Sequence, residues 1–391
     1  MCDAAGRGVR PVPRRLHSRR GRVVKIAYVC ADRGIPVQGN KGASVHVRAI
    51  TSALQRRGND VVLIATRLGE GNPAPGVGEL VVADPLDGDA MAAAVGASGA
   101  DVVLERYALE SGAARRASAA LGVPHVLEVN APLVLEASRY RGLSDVDAAL
   151  ARERLTFEEV DAVAVVSSAL EEYVRHSSAS TPVRVIPNAA DVDWIASSPP
   201  LELGPGVALG FVGSMKPWHG VTHLLDAFTA VAATRPVRLV LAGTGPEEQA
   251  VRRRVDSDPM LRDRVSVLGV LPHDRVGSLL RSLDIGVAPF LPAVDFYFSP
   301  LKVREYLAAG LPVVHPGLGE LAEVVGPAGV SYPPGDVTGL AEAIAALADD
   351  PGRRVTLAAE AVRRSRRWTW DDAARAVEEL LETTLATTGV S

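Results

Sequence analysis

Short apolar segments rich in β-branched residues alternate with longer segments of helical periodicity along most of the chain. The segment 45–57 has apolar residues at Val47, Ile50 and Leu54, the spacing of a helix with one buried face. This alternation predicts a parallel, doubly wound α/β sheet in the first half of the chain. Its strands are predicted at 23–30, 60–65, 101–105, 125–129, 162–166 and 183–186.

The segment 197–206 is rich in Ser, Pro and Gly and shows neither the helical nor the strand pattern of apolar residues, so it is predicted to be a linker. After it the alternation restarts. We therefore expect two Rossmann-like domains, 23–196 and 197–368, whose strand ends face a central cleft. In the second domain, strands are predicted at 208–212, 237–242, 265–268, 285–288 and 312–315, and helices at 221–233, 300–309 and 337–348.

Composition narrows the class of protein. The 391 residues suit two domains, and 47% hydrophobic with 23% charged residues is typical of a globular chain. A net charge of −4 lacks the basic surplus that nucleic-acid binding needs, so no nucleic-acid partner is expected. Two cysteines are too few for a disulfide framework or a cysteine zinc site. The apolar runs are shorter than the ~20 residues that span a bilayer, and we expect a cytoplasmic protein.

The first 22 residues carry seven arginines and no apolar core. They do not resemble a secretory signal, which needs an apolar stretch of ~7–15 residues. We expect a disordered Arg-rich tail at 1–22, or a start codon assigned too early.

Lysine is rare in this chain, because only four of its 42 basic residues are lysines: Lys25, Lys41, Lys216 and Lys302. The last three lie in predicted loops or first helical turns at strand ends. A compact ammonium suits phosphate as a point charge, so this placement points to phosphate chemistry. The alternative is chance placement on solvated loops.

The first of these three lies in a glycine-containing turn between a predicted strand and a helix. The turn contains Gly39, Asn40, Lys41 and Gly42, and taken alone it is as often structural as functional. The family resemblance given below implies that Gly42 faces a diphosphate and that Gly39, Asn40 and Lys41 contact the sugar or acceptor. Glycines let the backbone approach an anion, and a helix start with Ser44 as the expected N-cap offers free N–H groups. A Walker motif is excluded because Asn40 precedes Lys41 and no Ser or Thr follows it directly.

Lys216 lies in a turn with Gly213, Ser214 and His219, where a buried strand leads into a helix. His219 and His223 have the i, i+4 spacing of a zinc helix. The residues between them contain no Glu and no third ligand is evident, so no metal site is expected.

Lys302 lies in the segment 299–310, where Ser299 is the expected N-cap and Pro300 the expected first helical residue. Lys302 and Glu305 are three residues apart and share a face. They could form an exposed ion pair of little energetic value. Alternatively, Lys302 and the helix start would meet a phosphate, while Glu305 would accept hydrogen bonds from vicinal hydroxyls.

Three motifs, GFVGSMKPWHGV, LVLAGTGPE and SPLKVREYLAAGLPVV, resemble the donor domain of retaining GT-B glycosyltransferases of the fourth sequence family, the glycosyl transferases group 1. The stretch QGNKGASVHVRAITSALQRRGNDVVLIAT resembles the family's first strand, loop and helix, and VIPNAAD its PNGVD motif. The segment 369–388 resembles the terminal helix that crosses back onto the first domain. The resemblance covers residues 23–385 and implies a GT-B fold.

The resemblance also implies an activity: transfer of a hexose, with retention of configuration and without metal or other cofactor, from a nucleotide diphosphate sugar to a hydroxyl. UDP is the nucleotide we favour. Lys216 would belong to the basic pair around the diphosphate, Glu305 would bind the ribose, and backbone groups near Leu271 would flank the base. The full expected nucleotide and diphosphate set is Gly42, Gly213, Ser214, Lys216, His219, Leu271, Ser299, Leu301, Lys302 and Glu305.

The chain departs from the family pattern at positions that bear on the donor sugar. Tyr297 stands where the signature has its first Glu, and Asp295 could replace that carboxylate. Asn130 stands where many relatives have His. We expect Lys216, Asn130 and Asp295 to serve catalysis, and Tyr297 to contact the sugar or acceptor.

The acceptor is expected to bind in the first domain. Its candidate lining residues, which could equally be solvated charges, are His46, Arg48, Arg106, Glu128 and Glu136. The domain has no predicted basic amphipathic helix with aromatic residues, so we expect a soluble acceptor such as an aminocyclitol or another natural-product intermediate.

Other classes are weighed against this hypothesis. An epimerase of the same fold, or a sugar-nucleotide-binding protein without catalysis, stays open because Tyr297 replaces a carboxylate. A nicotinamide enzyme would need a third glycine after Gly243 and Gly245. A metal-dependent transferase would use an Asp-x-Asp motif, but Asp145 and Asp191 are expected to be helix caps or solvated acids.

Overall fold

The computed structural model of the chain describes residues 23–69, 80–83, 87–109, 112–292, 297 and 299–389. Two predictions, the disordered tail at 1–22 and the role of Asp295, concern residues outside these ranges.

The first lobe is built on a seven-stranded sheet with the order β3-β2-β1-β4-β5-β6-β7, in which every pairing is parallel. Its strands β4 and β5 are buried along their whole length because helices cover both faces. The strands are β1 Lys25–Cys30, β2 Asp60–Ala65, β3 Leu80–Val82, β4 Val102–Arg106, β5 His125–Val129, β6 Ala162–Val165 and β7 Val183–Val185. The helices are α1 Gly42–Arg56, α2 Gly88–Ser98, α3 Ala113–Leu121, α4 Leu133–Tyr140, α5 Val146–Glu158, α6 Ser168–Ser177 and α7 Val192–Ser197.

The second lobe has a six-stranded parallel sheet with the order β10-β9-β8-β11-β12-β13. The strands are β8 Val207–Val212, β9 Val237–Ala242, β10 Val265–Gly269, β11 Ile285–Val287, β12 Val313–Pro316 and β13 Gly329–Tyr332. The helices are α8 Val221–Ala232, α9 Glu248–Ser257, α10 Pro259–Arg264, α11 His273–Leu280, α12 Leu301–Ala308, α13 Leu321–Val325, α14 Val337–Asp349 and α15 Pro351–Ser365. The predicted pair of doubly wound sheets is confirmed.

The sequence pattern missed one edge strand in each sheet. β3 has only three residues and β13 begins with glycine, and each pairs with a single neighbour. Such strands bury less apolar surface than central ones, so their hydrophobic pattern is weak.

The last helix, α16 (Trp370–Thr388), leaves the second lobe and packs on α1 of the first. Its apolar face, including Ala374 and Leu381, belongs to the same core cluster as β1. Arg57 binds Glu378 of α16 at 2.7 Å on the rim of this contact. Among the helices described, none combines the length and the apolar character needed to cross a membrane.

The lobes also touch directly. Ser168 N at the start of α6 donates to Glu320 Oε1 at 2.9 Å, and the Tyr140 and Trp218 rings lie 4.3 Å apart between centroids. Tyr297, from the second half of the chain, packs into an apolar cluster of the first lobe. The carboxyl ends of both sheets therefore enclose a cleft whose walls are in contact.

Candidate active site

The turn that carries Lys216 follows β8 and is held against the neighbouring β9 loop. Gly213 N donates to Ala242 O at 2.9 Å, and Gly213 adopts a φ of +140°, which glycine tolerates. A Cβ atom on Gly243 would lie 1.9 Å from the Gly213 carbonyl oxygen, so only glycine allows this close approach. The turn therefore has a defined position at the mouth of the cleft.

The helix that carries Lys302 starts one residue later than predicted. Pro300, and not Ser299, is the N-cap residue of α12, so the predicted cap is wrong. The Ser299 hydroxyl instead lies 3.4 Å from Arg304 Nη2 and 3.3 Å from the backbone N of Asn188. Asn188 Nδ2 also donates to the Ser299 carbonyl at 2.6 Å, which ties the start of α12 to the first lobe.

The ammonium of Lys302 lies in an aromatic pocket. Its Nζ is 4.1 Å from the Phe211 ring centroid and 4.9 Å from that of Phe290, and a Cβ atom on Gly213 would be 3.0 Å from it. The nitrogen is buried, and no residue within the described ranges accepts a hydrogen bond from it. Burial lowers the pKa of Lys302 to about 7, although the nearby Glu305 opposes the shift.

Glu305 lies on the same face of α12. Burial raises its pKa to about 7, against the attraction of Lys302. An anion beside Lys302 would favour the protonated amine, and hydroxyl donors beside Glu305 would favour the carboxylate. The arrangement differs from a solvated surface ion pair, and it suits a ligand that carries both a phosphate and a diol.

Lys216 faces the same cleft from the β8 turn. Its Nζ lies over the Trp218 ring, 4.7 Å from the centroid. Burial lowers its pKa, Glu136 opposes this, and Arg141 and Lys41 add to it. Since Glu136, Arg141 and Lys41 all belong to the first lobe, Lys216 is within electrostatic reach of the opposite wall.

His219 closes the turn behind the two lysines. Burial, followed by the charge of Lys302, holds its pKa well below the usual range, so the ring is neutral near pH 7. Its Nδ1 donates to the carbonyl oxygen of Ser214. Ser214 and His219 therefore brace the turn, and the positive charge at this edge comes from the lysines.

The glycine turn of the first lobe forms the opposite wall. Arg48 Nη1 donates to the carbonyls of Val37 and Gly39, each at 2.7 Å, and so holds the loop against α1. A Cβ atom on Gly42 would lie 3.5 Å from Leu301 Cδ1, so the start of α1 faces the start of α12.

Two details of this turn depart from expectation. Lys41, and not Ser44, is the N-cap residue of α1, and the Ser44 hydroxyl is buried with no partner among the described residues. The predicted cap is wrong because the helix begins earlier, which places Ser44 inside its first turn. Lys41 Nζ donates to the carbonyl of Gly34 at 2.9 Å.

Glu128 is the centre of a buried polar network. Its Oε1 lies 2.8 Å from His46 Nε2 and 3.1 Å from Arg106 Nη1, and it accepts a hydrogen bond from Asn130 Nδ2. Burial alone would raise the pKa of Glu128, but His46 and then Arg106 lower it to about 2. His46 Nδ1 lies 2.7 Å from Asn188 Oδ1, so the network continues to α12. His46, Arg106 and Glu128 are buried, so the alternative that they are solvated charges is wrong.

Replacing Glu128 by Gln is expected to lower the free energy of unfolding at pH 7 by about 1.5–3 kcal/mol, because Arg106 and His46 lose a charged partner. The folded pKa is about 2 and the ordinary value is 4.5, so the contribution is complete above pH 4.5 and is lost as pH falls towards 2. Urea unfolding at pH 7, 4 and 3 measures the difference, which should shrink on acidification.

Glu158→Gln is the matched control, because Glu158 pairs with Arg154 at 2.8 Å on an exposed helix face. A Glu128→Gln protein as stable as wild type at pH 7 would contradict this account.

Tyr297 reaches across the cleft. Its hydroxyl donates to Glu136 Oε1 of α4, and its carbonyl accepts from Ser167 Oγ at 2.8 Å. Burial raises the pKa of Tyr297, as does Glu136, so the hydroxyl keeps its proton. Position 297 therefore presents no carboxylate of its own, but it holds one from the other lobe.

The remaining predicted residues lie further out. Asn40 is exposed at the tip of the glycine turn. Leu271 is partly buried between β10 and α11, where it packs on the core of the second lobe. Sequence reasoning gave no role to Asn188, although it lies in the VIPNAAD motif, because its contacts join segments 111 and 142 positions away.

The Asp-x-Asp strings are helix caps, as predicted. The side chain of Asp145 accepts from Ala148 N, and that of Asp191 from Trp194 N, both at 3.0 Å. Within the described part of the chain, no three His, Cys, Asp or Glu side chains are grouped as metal ligands would be.

Comparison with known proteins identifies the family. The family model described as Glycosyltransferase Family 4 matches residues 40–194, and that described as Glycosyl transferases group 1 matches residues 206–350. The phosphatidyl-myo-inositol mannosyltransferase of Mycobacterium leprae is 31% identical over 210 residues, 52% of this chain and 54% of that protein. The 2-deoxystreptamine N-acetyl-D-glucosaminyltransferase of Streptomyces fradiae is 30% identical over 173 residues, 44% of this chain and 40% of that protein.

The chain thus spans about half the length, or less, of these curated relatives. Among solved structures, Anabaena HepE in complex with UDP and glucose superposes with a TM-score of 0.72 and 18% identity, over 92% of this chain and 100% of that chain. At this identity the likeness shows the fold alone. The two family models and the shared fold together show that the chain belongs to the family 4 (group 1) glycosyltransferases, with a GT-B fold.

Proposed function

We propose that this glycosyltransferase retains anomeric configuration, requires no metal, and moves a hexose from a UDP-sugar to a hydroxyl of a small soluble acceptor. The acceptor class that we propose is a cyclitol or aminocyclitol. The observation that carries the proposal is the buried Lys302 ammonium, which no described residue pairs and which sits beside Glu305 at the cleft. A buried, unpaired cation is costly, and a bound anion would remove that cost.

In this proposal the diphosphate lies between the two lobes. Breaking the bond from the anomeric carbon to the β-phosphate leaves an electron pair and negative charge on the phosphate oxygen. Lys216 and Lys302 would stabilise that charge, a preorganised effect that is often the largest catalytic contribution. The acceptor hydroxyl bonds to the anomeric carbon on the face that the phosphate leaves. Its proton passes to the departing phosphate, so no side-chain base is needed.

Asn130 has a defined place in this scheme. Because the Glu128 carboxylate can only accept, Asn130 must turn its amide NH₂ group towards it. Its carbonyl oxygen is then left to accept a hydrogen bond, which suits it to orient a hydroxyl of the sugar or acceptor.

The substrate classes have separate support. UDP and glucose occupy the structural relative HepE, which favours a UDP-sugar donor. Three relatives are named for phosphatidyl-myo-inositol, D-inositol 3-phosphate and 2-deoxystreptamine. Each of these molecules contains a cyclohexane ring that bears hydroxyl or amino groups, which favours an acceptor with a cyclitol ring.

Incubation of the purified chain with UDP-glucose, UDP-N-acetylglucosamine or GDP-mannose tests the function. We expect a UDP-sugar to release UDP only when 2-deoxystreptamine or myo-inositol is present, with EDTA making no difference. Mass spectrometry should detect the glycosylated acceptor, and the anomeric proton coupling should match the donor's. Interconversion of the donor alone would indicate an epimerase, and binding without turnover would indicate a non-catalytic protein.

A further inference from the structure

Resting on the proposed function, we infer that Glu136, from the lobe opposite the nucleotide, binds hydroxyl groups of the transferred sugar and is held for that task by Tyr297. The inference rests on a carboxylate that reaches into the cleft from one lobe and is fixed by a side chain from the other.

Helix α4 is the element that places Glu136 there. The rings of its Tyr140 and of Trp218 lie 4.3 Å apart between centroids at an interplanar angle of 32°, and the Lys216 ammonium lies over the Trp218 ring. Burial lowers the pKa of Lys216, and the charge of Glu136, one turn earlier on α4, opposes this shift. The helix therefore presents its Glu136 face to the turn that is proposed to hold the diphosphate.

The carboxylate of Glu136 can accept more hydrogen bonds than its two contacts supply. One oxygen accepts from the Tyr297 hydroxyl, and the other lies 3.1 Å from Arg141 Nη2 at the exposed rim. An ionised carboxylate offers about four lone-pair sites, so these two contacts leave room for hydroxyl donors. The side chain is 13% exposed, so part of it is accessible to solvent.

The position of this carboxylate favours the donor sugar over the acceptor. The sugar is covalently attached to the β-phosphate, so its hydroxyls must lie within a few ångströms of the cations that hold that phosphate. Glu136 lies one helical turn from Tyr140, whose ring contacts the Trp218 ring under the Lys216 ammonium. The acceptor has no covalent link that would place it there.

The contact would couple sugar recognition to the approach of the lobes. Tyr297 is anchored in the apolar cluster of the first lobe with Leu127 and Phe157, and Ser167 holds its carbonyl. Glu136 is therefore locked in one orientation when the lobes are together. A nucleotide without sugar would gain nothing from this carboxylate.

The test compares the affinities of UDP and UDP-glucose, measured by calorimetry without acceptor, for wild type and Glu136→Gln. If the donor assay selects GDP-mannose, GDP and GDP-mannose are the pair. We expect wild type to bind the sugar nucleotide more tightly than the free nucleotide. Glu136→Gln should leave the affinity for UDP within about twofold and weaken that for UDP-glucose by about 10- to 100-fold, as loss of a charged hydrogen bond does.

Two further variants sharpen the comparison. Tyr297→Phe removes only the hydroxyl that orients Glu136, and we expect a smaller loss in the same direction. Glu158→Gln makes the same change at an exposed helical pair with Arg154 and should alter neither affinity. Retained UDP binding also shows that each variant is folded.

Failure of the proposed function and failure of the Glu136 inference give different results. Wild type that binds neither UDP nor GDP would overturn the proposed function and this inference with it. UDP binding with an unchanged advantage of UDP-glucose in Glu136→Gln would overturn the inference alone. So would a variant with normal donor affinity and a raised KM for the acceptor, because Glu136 would then serve the acceptor.

Discussion

Replacing Lys302 by Met is expected to abolish detectable UDP binding and lower turnover by ~10²–10³, while making the free protein more stable. The ammonium is buried between Phe211 and Phe290 without a hydrogen-bond partner among the described residues, so it costs free energy in the empty protein. Methionine fills a similar volume without charge. We expect the free energy of unfolding to rise by about 1–2 kcal/mol at pH 6.

The gain in stability should depend on pH in a defined window. The folded pKa of Lys302 is about 7 and its ordinary value is 10.5, so the folded state binds fewer protons than the unfolded chain between these values. Wild-type stability therefore rises with pH across the window. The advantage of Lys302→Met should be full below pH 7 and should vanish as pH approaches 10.5.

Thermal and urea unfolding of the free proteins, and UDP titration of both, measure these effects. Lys25→Met is the matched control, because Lys25 is exposed at the start of β1 beside Asp60, at 3.7 Å. A Lys302→Met protein that is less stable than wild type but still binds UDP would contradict both halves of the prediction.

Replacing Lys216 by Ala is expected to lower kcat by ~10²–10³ with a much smaller change in KM for the donor. Lys216 lies at the cleft mouth, on the Trp218 ring and in the field of Glu136. In the proposed mechanism it faces the β-phosphate, whose negative charge increases as the sugar leaves. An interaction made mainly in the transition state affects kcat more than binding.

Steady-state kinetics with the selected donor and acceptor measure the split, and Lys25→Ala controls for loss of a lysine. Lys216→Arg should recover only part of the rate, because a guanidinium fork does not reproduce a compact ammonium. An unchanged kcat with a KM raised ~100-fold would show that Lys216 acts in ground-state binding of the diphosphate and would contradict its expected catalytic role.

The regular parts of this fold follow directly from local sequence. β2, β5 and β9 have the predicted bounds, and each consists mostly of Val, Leu, Ile or Ala residues. The end of α12 was predicted from Gly310, which adopts a φ of +74° just beyond the helix. Lys302 and Glu305 share a face because the helical repeat dictates it.

The contacts that complete the site could not be predicted in this way. Tyr297 meets Glu136 across 161 positions of sequence, and His46 meets Asn188 across 142. The first pair depends on how the lobes approach each other and the second on how distant segments of the first lobe pack, and no local periodicity encodes either. Ser44 failed as a cap for the related reason that tertiary packing sets where α1 begins.

A crystal structure of the protein with UDP bound tests the central claim most directly. We expect pyrophosphate oxygens within about 3 Å of Lys302 Nζ and the ribose hydroxyls at Glu305, with Lys216 on the side of the leaving oxygen. UDP bound elsewhere, or a pyrophosphate that leaves the Lys302 ammonium without a partner, would contradict the account.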